Sequence, residues 1–211
     1  MFYFVKTPGW LQKLYKRCTW QIAGADKVLY ITFDDGPHPV ITPIVLDELK
    51  KYGARATFFC VGKNVLDYPQ VYTRILDEGH AVGNHSFSHL NGWKTANGEY
   101  LADIAKAKKN IDSDLFRPPY GKATRFQQKV LSGKGFHLKI VMWTVLSGDF
   151  DPSITPGQCC RNVTRNAGNG SIVVFHDSEK ANARMCYALP LVLKYFCDKG
   201  YRFEKIPGLK R

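Results

Sequence analysis

The sequence predicts a single α/β domain: a distorted barrel of seven mostly parallel strands, each followed by a helix, with an extra helical segment at the N-terminus. Three observations carry this reading. Short β-branched or aromatic runs alternate with stretches of helical periodicity along the chain, the pattern of βαβ units. The helical stretches tend to open near Pro and close on Gly. The 211 residues, 45% of them hydrophobic, amount to about one large domain with a full core. Seven strands with this many helices favour closure over an open sheet, and one strand fewer than a complete barrel makes it a distorted one.

The first strand is expected at 28–33, followed by a helix with Thr42 at its N-cap, Pro43 at N1, apolar positions Ile44, Val45, Leu49 and Tyr52, and Gly53 as its stop. The second is expected at 56–61; Pro69 opens the next helix, whose stripe is Val71, Tyr72, Ile75 and Leu76 and whose stop is Gly79. A third strand at 81–83 precedes a helix at 99–112, a fourth at 115–117 precedes a helix at 125–131, and a fifth covers 138–143. Thr155 and Pro156 open another helix, 171–175 is a strand buried on both faces, 190–197 is helical up to a stop at Gly200, and 201–203 is the last strand. No linker, charge block or low-complexity tract divides the chain, so 1–211 reads as one domain with its motif core at 28–206. Residues 1–22 place Trp10, Leu11, Leu14, Tyr15 and Cys18 at helical spacing among four basic residues. They read as the extra helix, either packed against the barrel or lying on an anionic membrane surface.

Thirty Lys and Arg against eighteen Asp and Glu leave a net charge of +12, which favours an anionic partner: nucleic acid, a phospholipid surface or an acidic polymer. The apolar content excludes a disordered tail. No apolar run reaches the roughly 18 residues of a membrane-spanning helix, and the N-terminus lacks the pattern of a secretion signal. The expected location is therefore cytoplasmic or peripheral at a membrane surface. Six cysteines without a CxxC pair read as reduced thiols, not as a disulfide framework.

A barrel collects the loops that follow its strands on one face, where active sites form. Asp34 and Asp35 follow the first strand, His85 and His89 the third, Arg117 and Tyr120 the fourth, Asp149 the fifth and His176 the sixth. Two adjacent carboxylates are tolerable if one binds a metal and the other faces a cation; Asp, Gly and Pro together also suit an ordinary turn. His85 and His89 are spaced HxxxH, which on a helical turn brings both rings to one ion, though a pair of polar loop histidines has the same spacing. Two His and one carboxylate with open positions make a catalytic-zinc set. Ser86, where a zinc-protease helix has Glu, argues against that class. His176 on its own would read as a core histidine.

Taken together, the motifs resemble the polysaccharide deacetylases that carry the NodB homology domain, carbohydrate esterase family 4. TFDDGP stands at 32–37, HSFSH at 85–89, RPPYG at 117–121, a fourth motif around Asp149, and VFH at 174–176, in the family's order. The resemblance implies a metal-dependent hydrolase that removes N-acetyl groups from an amino-sugar glycan such as peptidoglycan, a chitin-like chain or poly-N-acetylglucosamine. It implies Asp35, His85 and His89 as ligands of a divalent metal, zinc above all, with cobalt or nickel as alternatives. Asp34 would then be the general base toward the attacking water, with Arg117 as its partner. The backbone N–H of Tyr120 would face the oxyanion, and His176, oriented by Asp149, would protonate the leaving amine. Tyr120, Phe150 and Val174, the last in place of the motif's usual Leu, would line the substrate pocket.

The fourth motif departs from the family's DxxDW: the chain reads Leu146-Ser147-Gly148-Asp149-Phe150, with Asp151 as a competing acid. Retained chemistry with an altered groove is the expectation. An O-acetyl esterase acting on xylan-like chains and a catalytically impaired glycan-binding barrel are the alternatives. Nucleic acid is not an expected partner, because no motif for it accompanies the charge; an anionic membrane or wall is expected as a peripheral contact. Asp177 reads as a turn cap, His38 as a solvated loop histidine, and His80 and His137 as side chains away from the active face.

Overall fold

The computed structural model describes residues 3–24 and 27–209. Among them, nine strands form one sheet: β1 (Cys18–Thr19), β2 (Val28–Asp34), β3 (Thr57–Cys60), β4 (Ala81–Asn84), β5 (Leu115–Phe116), β6 (Lys139–Val141), β7 (Val145–Leu146), β8 (Ile172–His176) and β9 (Arg202–Phe203). The order is β1-β6-β5-β4-β3-β2-β8-β7, with β9 beside the start of β2. Every ladder is parallel. The helices are α1 (Gly9–Leu14), α2 (Ile41–Lys51), α3 (Gly62–Asp67), α4 (Pro69–Asp77), α5 (Asn97–Lys108), α6 (Arg125–Leu131), α7 (Pro156–Asn166) and α8 (Asn182–Asp198). The parallel α/β barrel that the alternation predicts is the fold. None of these helices is long and apolar enough to cross a membrane.

The strands are short β-branched and aromatic runs whose side chains alternate between two compartments, as the period of two requires. Phe33, Phe58, Val173 and Phe175 join the core beneath α2, α7 and α8, while Phe116 and Ile140 pack with Tyr100, Ile104 and Leu131 of α5 and α6. Their neighbours Phe59, Leu115, Val141 and Ile172 meet inside the barrel. The same parity sends Thr32 and Asp34 of β2, Arg117 just after β5, and Val174 and His176 of β8 inward. Capping boxes fix the starts of α6 and α7: Thr124 with Gln127, and Thr155 with Gln158.

The structure adds α3, which no expected element covers, and corrects the expected elements at four further places. The N-terminal segment is helical only over α1; Cys18 belongs to β1, and residues 1 and 2 lie outside the described residues. Its path explains why. Leu146 donates to the Val5 carbonyl and Lys6 bridges Val145 antiparallel, while β1 pairs with β6, so this segment spans the gap between the two ends of the sheet. β7 is a second unforeseen strand. α2 starts at Ile41 with Thr42 inside its first turn, because the His38 ring takes the cap: its Nδ1 accepts the N–H groups of Val40 and Ile41. α8 begins at Asn182 and carries Pro190 within it, held by the buried face of Met185, Leu189, Val192, Leu193 and Phe196.

Candidate active site

Arg117 is wholly buried, and the barrel interior supplies all its partners. Nη1 donates to Asp34 Oδ1 and to Thr32 Oγ1, both at 2.7 Å; Nη2 donates to the Met142 carbonyl at 3.1 Å and Nε to the Val141 carbonyl at 3.2 Å. Its Cζ lies 4.0 Å from the centre of the Phe59 ring. Burial pulls the guanidinium's pKa down, and Asp34 offsets this only in part. A cation so enclosed fixes the Asp34 carboxylate in one orientation.

Next to Asp34, the ligand atoms of Asp35, His85 and His89 lie within 4.8 Å of one another. His85 Nε2 stands 3.7 Å and His89 Nε2 3.1 Å from Asp35 Oδ1. His85 Nδ1 lies 2.8 Å from the Arg117 carbonyl, an acceptor, which sets Nδ1 as the protonated nitrogen and leaves the Nε2 lone pair facing the group. His89 Nε2 is buried without a hydrogen-bond partner, since its approach to Asp35 lacks hydrogen-bond geometry. An orphaned imidazole nitrogen beside a second lone pair and a carboxylate fits a divalent ion with two nitrogen and one oxygen ligands. Burial drives the His85 pKa down to about 4, so the ring is neutral as a ligand must be. Burial alone would raise the Asp35 carboxyl; the imidazoles of His89, His176 and His85 outweigh it and hold it below the usual carboxylate range. The backbone is bent to the same end. Asp35, Ser86, His89 and Tyr120 all have φ between 57° and 83°, a left-handed region that non-glycine residues seldom adopt.

His176 is the partner of Asp34 across the β2–β8 ladder. Its Nδ1 lies 2.8 Å from Asp149 Oδ1, and its backbone N–H donates to Asp149 Oδ2 at 2.6 Å. Burial opposes charge on the ring, but Asp149 overcomes it and, with Asp35 and Asp34, raises the His176 pKa to about 10. Asp149, not Asp151, is therefore the partner; Asp151 accepts from Ser153. Phe150 meets His176 edge-on at 5.3 Å between ring centres, and the Tyr3 ring packs against Phe150 at 5.1 Å. Phe150 thus keeps an apolar wall where the family motif has Trp, with a second aromatic brought in by the N-terminal segment.

Tyr120 presents its ring to His89, 4.7 Å away edge-on, and is 56% exposed. Val174 is buried opposite Thr32 across the β2–β8 ladder, two residues short of His176. A shallow cleft of about 260 Å³ opens beside Asp35 and His89, lined also by Lys63, Asn64 and Phe87.

Several supports escaped the motif reading. Asp177 is more than a turn cap: it is buried, accepts the Gly36 N–H at 3.0 Å and the Thr42 hydroxyl, and its own N–H donates to the Asp34 carbonyl. A Cβ at Gly36 would collide with this carboxylate, so Gly is required there. Burial lifts the Asp177 pKa to about 7. Asp103 of α5 accepts the N–H groups of Phe87 and Ser88, and Asn84 accepts that of Ser86, which together shape the loop that carries both histidines. Asp103 lies fourteen positions past His89, and nothing in that spacing marks it.

The family profile described as polysaccharide deacetylase matches residues 21–138, more than half of the chain. The chain belongs to this family. A peptidoglycan-N-acetylglucosamine deacetylase of Bacillus cereus is 34% identical over 199 residues, covering 92% of each chain. A chitooligosaccharide deacetylase of Azorhizobium caulinodans is 36% identical over 198 residues, 85% of this chain and 92% of that one. A crystal structure of a peptidoglycan N-acetylglucosamine deacetylase matches with a TM-score of 0.86 at 30% identity over 95% of both chains. The polysaccharide deacetylase family accounts for the barrel and for the order of the motifs around its open end.

Proposed function

We propose that this protein hydrolyses N-acetyl groups from an amino-sugar glycan of the peptidoglycan or chitooligosaccharide type, using a divalent metal, zinc by preference, held by Asp35, His85 and His89. One observation carries the reading: a candidate metal group with, close by, a carboxylate locked to a buried arginine and an imidazole locked to a buried aspartate. When bound, the ion supplies Lewis-acid activation, which for zinc brings the pKa of water to about 7. Asp34 has one oxygen engaged by Arg117 and takes the proton of the attacking water on the other. His176 carries its charge at neutral pH, keeps Nδ1 on Asp149 and delivers the Nε2 proton to the departing amine. The Tyr120 N–H, turned by that residue's positive φ of 59°, faces the developing oxyanion. Phe150 and Val174 bound the acyl-group side of the site. Both proton-handling pairs are complete, which supports an active enzyme over an impaired glycan-binding barrel.

Acetate release from N-acetylglucosamine oligomers, measured with and without added zinc or cobalt, tests the proposal. Metal-dependent release that Asp34→Asn abolishes is the expected result. Inactivity there beside rapid release from acetylated xylan would replace it with an O-acetyl esterase.

A further inference from the structure

α1 buries none of its residues. Trp10 is 62% and Leu14 48% exposed, and on α6 Phe126 is 55% exposed. Between α1 with its following turn and α6 lies a cleft of about 460 Å³, walled by Lys13, Lys16 and Arg17 on one side and Arg125 and Lys129 on the other. No acidic residue lines it, and none of these five cations is ion-paired among the described residues. A considerable part of the net charge of +12 is thus concentrated in one concave surface. The cleft shares no residue with the candidate active site.

Helical spacing places apolar side chains on the same faces. Trp10, Lys13 and Leu14 stand at i, i+3 and i+4 on α1, and Lys13 and Leu14 line the cleft. On α6, Arg125 and Lys129 are one turn apart in the cleft wall, and Phe126 is at i, i+3 to Lys129. A soluble polyanion would neutralise the cations but leave Trp10, Leu14 and Phe126 in water. A bilayer interface takes both: phosphate headgroups meet Lys and Arg while aromatic and aliphatic side chains enter the headgroup–acyl boundary. We propose that the cleft between α1 and α6 docks the protein on an anionic phospholipid bilayer, with its five cations on headgroup phosphates and Trp10, Leu14 and Phe126 inserted at the interface.

Co-sedimentation of the full chain with vesicles of phosphatidylcholine alone and of phosphatidylcholine with phosphatidylglycerol tests this. Binding confined to the anionic vesicles and weakened by salt is expected. The charge-reversal variant Lys13→Glu/Arg17→Glu/Lys129→Glu should bind at least ~tenfold more weakly, and Trp10→Ala/Phe126→Ala should bind several-fold more weakly. Circular dichroism of both variants should match the unaltered chain. Equal binding to neutral vesicles, or either variant binding like the unaltered chain, overturns the proposal. So does tight binding to soluble poly(glycerol phosphate) without binding to vesicles, which would assign the cleft to an anionic polymer.

Discussion

Two carboxylate–cation pairs lie close to the candidate metal group, and they are built to opposite ends. Asp34 faces Arg117, whose side chain is 0% exposed and each of whose three nitrogens donates within the barrel. Asp149 faces His176, whose side chain keeps 16% exposure and one ring nitrogen free of Asp149. Arg cannot give up its proton within any workable pH range, so the first pair presents a carboxylate that gains a proton without exchanging one with its partner. The imidazole of the second can give its proton up, and the buried carboxylate behind it raises the pKa to about 10, so that the proton is present at neutral pH. One motif, an acid against a cation, thus yields a fixed acceptor or a loaded donor, depending on whether the cation titrates.

Breaking the first pair gives the largest expected effect. Arg117→Met leaves Asp34 as an uncompensated charge in the interior and should cost about 3–5 kcal/mol of stability, read from denaturant midpoints at constant m. The double variant Arg117→Met/Asp34→Leu should recover most of that loss while remaining inactive, because burying neither charge is cheaper than burying one. Equal losses in single and double variants would mean that Arg117 acts through packing on Phe59 and its carbonyl contacts, not through the ion pair.

The second pair should show its difference through pH. Without the carboxylate, the His176 pKa falls from about 10 toward or below its ordinary value of 6.5, so Asp149→Asn moves the alkaline limb of activity down. At pH 8 a pKa of 6.5 lowers the protonated fraction by roughly 30-fold. The stability cost follows the same linkage. A histidine whose folded pKa lies above its unfolded one contributes in full below the unfolded value and loses that contribution as pH rises through the folded one. The penalty of Asp149→Asn is therefore complete below pH 6.5 and gone above about pH 10, whereas Arg117 keeps its charge throughout this window. Coinciding pH profiles for the two variants would erase the contrast.

The readable parts of this architecture are those fixed by local chemistry. Strands such as 28–33 announce themselves by β-branched runs, and their parity sends Thr32 and Asp34 of β2, Arg117 after β5 and His176 of β8 into one interior. The illegible parts are decided by contacts far apart in sequence. β1 and β7 are set by partners far along the chain, β1 by β6 and β7 by β8, and no local run of residues marks either of them. Pro190 reads as a helix start by its ordinary preference for N1, but the buried face of α8 outweighs the roughly 3 kcal/mol an internal proline costs. Asp103 and Asp177 work through backbone N–H groups, which any sequence supplies, so no motif points to them.

The smallest effect separates position from protonation at His176. Phe150 touches this ring edge-on and is itself backed by Tyr3, so it restrains where the imidazole sits without bearing charge. Phe150→Leu keeps an apolar wall and removes the aromatic contacts, worth about 0.5–1.5 kcal/mol per pair. The expected result is a fall in kcat of no more than about tenfold with the alkaline limb unmoved, since Asp149 still holds Nδ1. A limb that shifts with Phe150→Leu as far as with Asp149→Asn would show that exclusion of water by the aromatic wall, and not the carboxylate, keeps the proton on His176.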